Sequence, residues 1–180
     1  IREMAKKIGL EVHNKPDSQD ICFIPDHDYE GFLKENSKKK VEAGNFVDRS
    51  GKVLGRHKGI ISYTIGQRKG LGITFGKPTY VVAINGQDKS IVLGDNGDLF
   101  KTSLTARDVN FVEWSQDEVV GPIDVYAKVR YAAKPAQAKV TYIGKYRVRV
   151  DFVEPQRAIT SGQSVVFYSE DRLLGGGIIE

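Results

Sequence analysis

The single cysteine of the chain, Cys22, is its candidate nucleophile. It lies in residues 17–25, Asp-Ser-Gln-Asp-Ile-Cys-Phe-Ile-Pro, directly after a polar run. A free cysteine between Ile and Phe commonly acts as a small hydrophobic core residue, and that interpretation stays open. The polar run is an odd start for a core strand. It fits a loop that presents the sulfur at an open site, where nearby cations or helix ends favour the reactive thiolate.

A second candidate site is the glycine-rich segment 66–72, Gly-Gln-Arg-Lys-Gly-Leu-Gly. The glycines allow a bulky partner to approach the backbone, and Arg68 and Lys69, next to Gln67, are suited to phosphate contacts. The spacing of the glycines matches neither the phosphate-binding P-loop nor the dinucleotide-binding fingerprint. The alternative is an ordinary turn between strands that carries surface charge.

A third candidate is the charged side of the strands predicted after residue 120. Tyrosines Tyr126, Tyr131 and Tyr142 are interleaved there with cations, and stacking on aromatic rings combined with phosphate contacts is how single-stranded RNA is held. Any amphipathic sheet also needs a charged solvent face, so a purely structural interpretation remains. The cations of this face are Lys128, Arg130, Lys134, Lys139, Lys145, Arg147 and Arg149.

Other kinds of site are not supported by the sequence. The three histidines, His13, His27 and His57, lack metal-ligand spacing, and we expect no metal site. One cysteine allows neither an internal disulfide nor a cysteine-based zinc site, and it favours a reducing, intracellular setting. No Ser-His-Asp arrangement and no ATP-binding motif can be identified. The excess of 27 Lys and Arg over 23 acidic residues is compatible with a polyanionic partner without requiring one.

The elements that must position these residues differ between the two halves of the chain. Residues 1–8 read as a helix that ends at Gly9, and residues 28–36 as a short helix with Tyr29, Phe32 and Leu33 on one side. Seven glycines between residues 44 and 72 indicate short strands and tight turns. Residues 80–84 and 90–93 flank Asn-Gly-Gln-Asp, which predicts a hairpin.

The second half alternates as antiparallel strands do. Residues 123–131, 138–142 and 146–152 each place apolar and polar side chains on opposite faces, and the first and last runs are expected to bury Tyr131 and Tyr146. Three glycines at 175–177 predict a bent closing strand. We predict a mainly β fold: a small mixed central domain at residues 1–76, then an antiparallel β-barrel at residues 77–180. No run approaches the length of a membrane span, so a water-soluble, cytoplasmic protein is expected.

Three motifs, in order, resemble the tRNA-specific 2-thiouridylase family. They are residues 15–24 (Lys-Pro-Asp-Ser-Gln-Asp-Ile-Cys-Phe-Ile), the segment 66–72, and residues 161–168 (Ser-Gly-Gln-Ser-Val-Val-Phe-Tyr) followed by 174–179 (Leu-Gly-Gly-Gly-Ile-Ile). The resemblance implies that Cys22 accepts sulfur as a persulfide. It also implies that Arg130, Tyr131 and Gln163 of the barrel contact tRNA. The family usually has proline where this chain has Ser161.

The resemblance further implies 2-thiolation of the wobble uridine of tRNA, driven by Mg-dependent ATP that an amino-terminal domain binds. A sulfur-relay protein or a cysteine desulfurase would supply the persulfide. The start at Ile1, without Met, suggests a fragment that lacks the ATP loop and would be inactive alone. Nothing resembles a methyl-donor site, although the family was long labelled a methyltransferase. The alternatives are a noncatalytic RNA-binding barrel and a docking domain without affinity for nucleic acid.

Overall fold

The computed structural model describes residues 1–15, 21, 23–24, 28–37, 41–112 and 121–180. These divide into two compact units, Ile1–Val41 and Glu42–Glu180. Cys22 and the basic run at residues 38–40 lie outside the described residues. In the part of the chain that is described, no helix is long and apolar enough to span a bilayer.

The first unit contains two short helices, α1 (Arg2–Lys7) and α2 (Tyr29–Asn36). Both were predicted, and both are confirmed. After α1 the chain turns at Gly9, which has the left-handed φ of +73° that glycine adopts without steric cost. At the start of α2, the Asp28 side chain accepts a hydrogen bond from the Gly31 N–H group at 2.8 Å. A cap of this kind stabilises a helix by about 1 kcal/mol.

The second unit begins with a four-stranded mixed sheet. Its strands are β1 (Gly44–Val47), β2 (Val53–His57), β3 (Tyr80–Asn85) and β4 (Ser90–Gly94). The order is β2-β1-β4-β3, with β1 and β4 parallel and the other two pairs antiparallel. The predicted hairpin is therefore confirmed as β3 and β4. The domain division at residues 76 and 77 falls before these two strands and stays a prediction.

A closed antiparallel barrel follows. Its strands are β5 (Phe100–Phe111), β6 (Ile123–Lys128), β7 (Ala136–Gly144), β8 (Arg147–Arg157), β9 (Ser164–Ser169) and β10 (Arg172–Ile179). They close in the order β10-β5-β8-β7-β6-β9, which confirms the predicted fold class. The interior contains apolar side chains from each of the six strands, and burying a Val or Phe contributes about 1.5–3 kcal/mol.

Alternation along the barrel strands was predicted correctly in their centres and wrongly at two ends. Val125, Ala127 and Val140 are buried as expected. Tyr131 and Tyr146 were expected to share that buried side, but they are 96% and 61% exposed. β6 ends at Lys128, before Tyr131 is reached, and Tyr146 lies in the β7–β8 turn with a φ of +57°. A period of two holds only while the backbone stays extended.

His57 has a structural role in the four-stranded sheet. It is 4% exposed, and its Nδ1 accepts a hydrogen bond from the Gly59 N–H group at 3.1 Å. The proton therefore sits on Nε2, which donates to the Lys89 carbonyl at 3.0 Å. The ring also packs against Phe46 and Tyr63, with centroids 5.2 and 5.6 Å away. Within the described ranges, no group of three or more His, Cys, Asp or Glu side chains could hold a metal ion.

Gly175 allows β10 to bend and close the barrel, as predicted for this glycine run. The register of β10 against β9 shifts between Leu173 and Gly175. A methyl group on Gly175 would lie 2.4 Å from the Asn110 carbonyl oxygen, and its φ of +156° disfavours other residues. We expect Gly175→Ala to lower the free energy of unfolding by about 2–4 kcal/mol.

Urea unfolding followed by circular dichroism measures this effect. The matched control is Gly97→Ala, because nothing lies within 4 Å of a methyl group at that exposed position. The control should change the stability by less than about 0.5 kcal/mol. Equal stability of the two variants would show that the β10 bend accepts a side chain.

Candidate nucleic-acid interface

The turn after β6 places Arg130 and Tyr131 at the surface of the barrel. It is closed by a hydrogen bond from the Ala133 N–H group to the Arg130 carbonyl at 3.1 Å. The Tyr131 ring is almost fully exposed, and the Lys128 ammonium lies 5.4 Å from its centroid. Because it is exposed, the Tyr131 ring is not part of the hydrophobic core. It is suited to stacking against a planar partner.

The Arg130 side chain is held in place by the backbone of β8. One guanidinium nitrogen, Nη2, donates to the Arg157 carbonyl at 2.8 Å. A guanidinium has five N–H donors, so this anchor leaves donors that can face an anion. Holding the charge in a fixed position reduces the entropy that a phosphate contact would cost.

Gln163 lies in the turn that leads into β9. The Gly162 N–H group donates to the Ile179 carbonyl at 2.8 Å, and the Ile179 N–H group donates to the Gln163 carbonyl at the same distance. These two bonds fix the turn to β10, and the Gln163 side chain is exposed. Ser161, also exposed, precedes a glycine with a φ of +85°. The backbone bonds therefore hold the turn with Ser161 in place of a proline.

These three residues line one cleft, although more than thirty positions separate Tyr131 from Gln163 in the sequence. We call it the Arg130 cleft, and its volume is about 530 Å³. Among the residues that the structure describes, its wall includes two cations and no carboxylate. The residues that line it are Lys128, Arg130, Tyr131, Gly162, Gln163, Ser164, Val166 and Tyr168.

The other predicted segment, 66–72, forms a loop fastened to β3. The Gly66 N–H group donates to the Val81 carbonyl at 2.8 Å, and the Val81 N–H group donates to the Gln67 carbonyl at 2.9 Å. The Gln67 side-chain amide is also engaged: Oε1 accepts from the Thr64 N–H group and Nε2 donates to the Lys69 carbonyl. Gln67 thus shapes the loop that exposes Arg68 and Lys69.

Arg157 and Ala158 lie between this loop and the Arg130 cleft. A methyl group on Gly66 would lie 3.2 Å from the Ala158 Cβ and 3.6 Å from the Arg157 Nη1. The Arg157 guanidinium also lies 5.7 Å from the Tyr80 ring centroid, while its carbonyl accepts the Arg130 bond. The contacts of Arg157 therefore place segment 66–72 and the Arg130 cleft on either side of the end of β8.

Some cations of the predicted charged face form ion pairs with carboxylates, whereas others line the Arg130 cleft. Lys139 pairs with Asp124 at 2.8 Å, Arg147 with Glu180 at 2.5 Å and Arg149 with Asp151 at 2.8 Å. The hydrogen bonds from Arg149 to Asp151, and the charge of that carboxylate, raise the pKa of Arg149. These three cations carry locally balanced charge, whereas Lys128 and Arg130 line a cleft in which no described residue is a carboxylate.

Arg157, Val166 and Tyr168 were not among the predicted site residues. For Tyr168 a signal existed: buried Val165 and Phe167 alternate with Val166 and Tyr168, which therefore face outward. Arg157 gave no such signal, because its contacts are with residues distant in the chain.

The two sequence neighbours of Cys22 are described, and Ile21 and Phe23 are 44% and 64% exposed.

Three family models match consecutive parts of the chain. They are described as a tRNA methyl transferase HUP domain (residues 1–26), a tRNA methyl transferase PRC-barrel domain (residues 30–95) and an aminomethyltransferase beta-barrel domain (residues 101–179). The second range includes most of α2 and the four-stranded sheet, and the third corresponds to the barrel.

Curated relatives match the chain over all 180 residues. The chain is 57% identical in sequence to the tRNA-specific 2-thiouridylase MnmA of Clostridioides difficile (strain 630). It is also 57% identical to a tRNA-specific 2-thiouridylase of Clostridium botulinum (strain Hall) and 59% identical to one of the Loch Maree strain. In each case the match covers 49–50% of the relative, so the chain spans about half the length of these proteins.

Proposed function

Because the chain belongs to the tRNA-specific 2-thiouridylase family, we propose that the whole protein replaces an oxygen of the wobble uridine of tRNA with sulfur. In this proposal, Cys22 carries the sulfur and the barrel holds the tRNA. The Arg130 cleft and the exposed cations of the 66–72 loop provide contacts to the RNA.

The observation that carries the RNA-binding part is the Arg130 cleft. Arg130, Tyr131 and Gln163 come from two separate turns, and they line the same cleft, whose described wall contains no carboxylate. A guanidinium, an exposed aromatic ring and a side-chain amide are the groups that bind phosphate, stack on a base and hydrogen-bond to its edge. Residues that only form the core, or only keep the surface solvated, would not need to bring a guanidinium, an exposed ring and an amide together.

The chemistry assigns a simple role to Cys22. Uracil C2 is a poor electrophile until its oxygen becomes a leaving group, and ATP supplies that activation. The terminal sulfur of a Cys22 persulfide would then form a bond to C2 as the activated oxygen leaves. Breaking the S–S bond needs attack by a second thiolate, which the one cysteine of this chain cannot provide. We assign that thiolate to the partner cysteine of the family.

The remaining parts of the reaction are assigned by the same reasoning. ATP, with Mg²⁺, would bind the amino-terminal part of the whole protein that carries the ATP loop, and residues 1–26 match a HUP-domain model. Segment 66–72 lacks phosphate-loop spacing, so we do not assign ATP binding to it. A sulfur-relay protein or a cysteine desulfurase would load the persulfide. A reducing cytoplasm suits a reactive thiol that must not be locked in a disulfide.

Two measurements test this function. The whole enzyme, given ATP, a persulfide donor and unmodified tRNA, should form 2-thiouridine, which mass spectrometry of the digested RNA detects. The 180-residue chain should bind tRNA with an affinity that falls as salt rises, with a logarithmic slope of about −2 to −4 for a few phosphate contacts.

The rival functions predict different results. A noncatalytic RNA-binding barrel would bind tRNA with the same salt dependence, but the whole protein would form no 2-thiouridine and alkylation of Cys22 would be slow. A docking domain without nucleic-acid affinity would show no salt-dependent shift at all. Rapid alkylation of Cys22 in the native chain, together with thiolation, supports the enzyme.

A further inference from the structure

The outer face of the β6–β9 strand pair extends the Arg130 cleft. In the register of the two strands, Ala127 lies opposite Phe167, and both side chains point into the barrel. The flanking residues therefore face outward: Tyr126 lies opposite Tyr168, and Lys128 lies opposite Val166. Directly opposite side chains on one face are in contact range.

This face combines an aromatic surface with positive charge. Tyr168 and Val166 are half-buried and give the cleft an apolar floor, while Lys128 and Arg130 stand at its edge. The neighbouring cleft, lined by residues of β6, β7, β8 and β9, Tyr168 among them, is more acidic. Its described wall contains Asp124, Asp151 and Glu170 but only Lys139 as a cation, and Lys139 balances Asp124 alone. An anion would therefore be favoured in the Arg130 cleft and disfavoured in its neighbour.

We propose that Tyr168 and Lys128 complete a subsite for a single unpaired nucleotide in the Arg130 cleft. The base would stack on the Tyr168 ring beside Val166, and its phosphate would contact Lys128 and Arg130. Aromatic rings next to cations are the usual means of holding an unstacked nucleotide. This inference rests on the proposed tRNA binding. It adds Tyr168 and Val166, which were not predicted site residues, and assigns a specific phosphate contact to Lys128.

An unpaired nucleotide fits this surface better than an acidic peptide does. Both would satisfy the cations, but only a base presents a flat face matched to Tyr168 and to the exposed ring of Tyr131. The contact of Lys128 with the Tyr131 ring is a surface cation–π interaction, so the ammonium remains free to move to a phosphate.

The test compares Tyr168→Leu with Tyr168→Phe in the 180-residue chain. Both substitutions keep an apolar side chain on the floor of the cleft, and only phenylalanine keeps the ring. We expect Tyr168→Leu to weaken tRNA binding about 5- to 100-fold with an unchanged salt slope, and Tyr168→Phe to stay within about twofold. Lys128→Gln should reduce the salt slope by about 1.

Controls separate the subsite from other effects. Tyr146→Leu removes an exposed tyrosine that does not line the cleft, and Lys139→Gln removes a cation that is paired with Asp124. Both should bind tRNA as the unchanged chain does. Circular dichroism shows whether each variant is folded. If Tyr168→Leu is unfolded, Lys128→Gln remains the test, and an unchanged salt slope for the folded Lys128→Gln variant would overturn the subsite.

The outcomes distinguish this inference from the function on which it rests. If Tyr168→Leu binds normally while Arg130→Gln binds weakly, the subsite is overturned and tRNA binding stands. If the unchanged chain shows no salt-dependent tRNA binding, the proposed function fails first. Preferential binding of a polyglutamate peptide over a short single-stranded RNA would overturn the nucleotide as the occupant.

Discussion

Replacing Cys22 with serine in the whole enzyme is expected to lower the rate of 2-thiouridine formation at least about 10³-fold, with tRNA affinity within about twofold of normal. A serine hydroxyl is nearly the size of a thiol, but oxygen cannot accept and transfer sulfur as a persulfide does. The proposed contacts to RNA come from the barrel and from segment 66–72, so their strength should not depend on this atom. We therefore expect the Cys22→Ser enzyme to bind tRNA normally but to lose formation of 2-thiouridine.

Two readouts check this result. Mass spectrometry of the enzyme after incubation with a sulfur donor should find one added sulfur on the unchanged protein and none on the peptide that contains Ser at position 22. Single-turnover thiolation with saturating tRNA then separates chemistry from binding. Thiolation at the normal rate would remove Cys22 from the mechanism and would favour its interpretation as a small core residue.

Much of the fold could be predicted because it depends on local patterns. The strand centres alternate strictly, and the hairpin of β3 and β4 has its turn residues in place. The errors at Tyr131 and Tyr146 arise where strands end, and strand ends depend on turn geometry that side-chain polarity does not encode. Lys145 and Tyr146 both adopt positive φ, which nothing in their residue types requires.

The site was predictable in part for a related reason. Motif resemblance identified Arg130, Tyr131 and Gln163, but their meeting in one cleft depends on barrel closure, which is a long-range property. The cations of the charged face were equivalent in the sequence, and only the register reveals that Lys139 lies opposite Asp124. The position of Arg157 between the two sets of residues likewise follows from tertiary contacts.

Arg130→Gln is expected to weaken tRNA binding by the 180-residue chain about 10- to 100-fold and to reduce the salt slope by about 1. Glutamine removes the positive charge that would contact a phosphate, and it shortens the reach to the Arg157 carbonyl. The loss should exceed that of an average surface cation, because the anchored guanidinium does not have to be ordered when RNA binds. Fluorescence anisotropy with labelled tRNA over a salt series measures both quantities.

Arg149→Gln is the matched control, with the same change of charge in the same barrel. Its guanidinium is already balanced by Asp151, so its loss should change tRNA affinity by less than about threefold. Equal losses for the two variants would mean that the barrel attracts RNA through its total charge, without a defined cleft. A loss confined to Arg130 would assign the contact to the Arg130 cleft, where cations, an exposed ring and an amide converge.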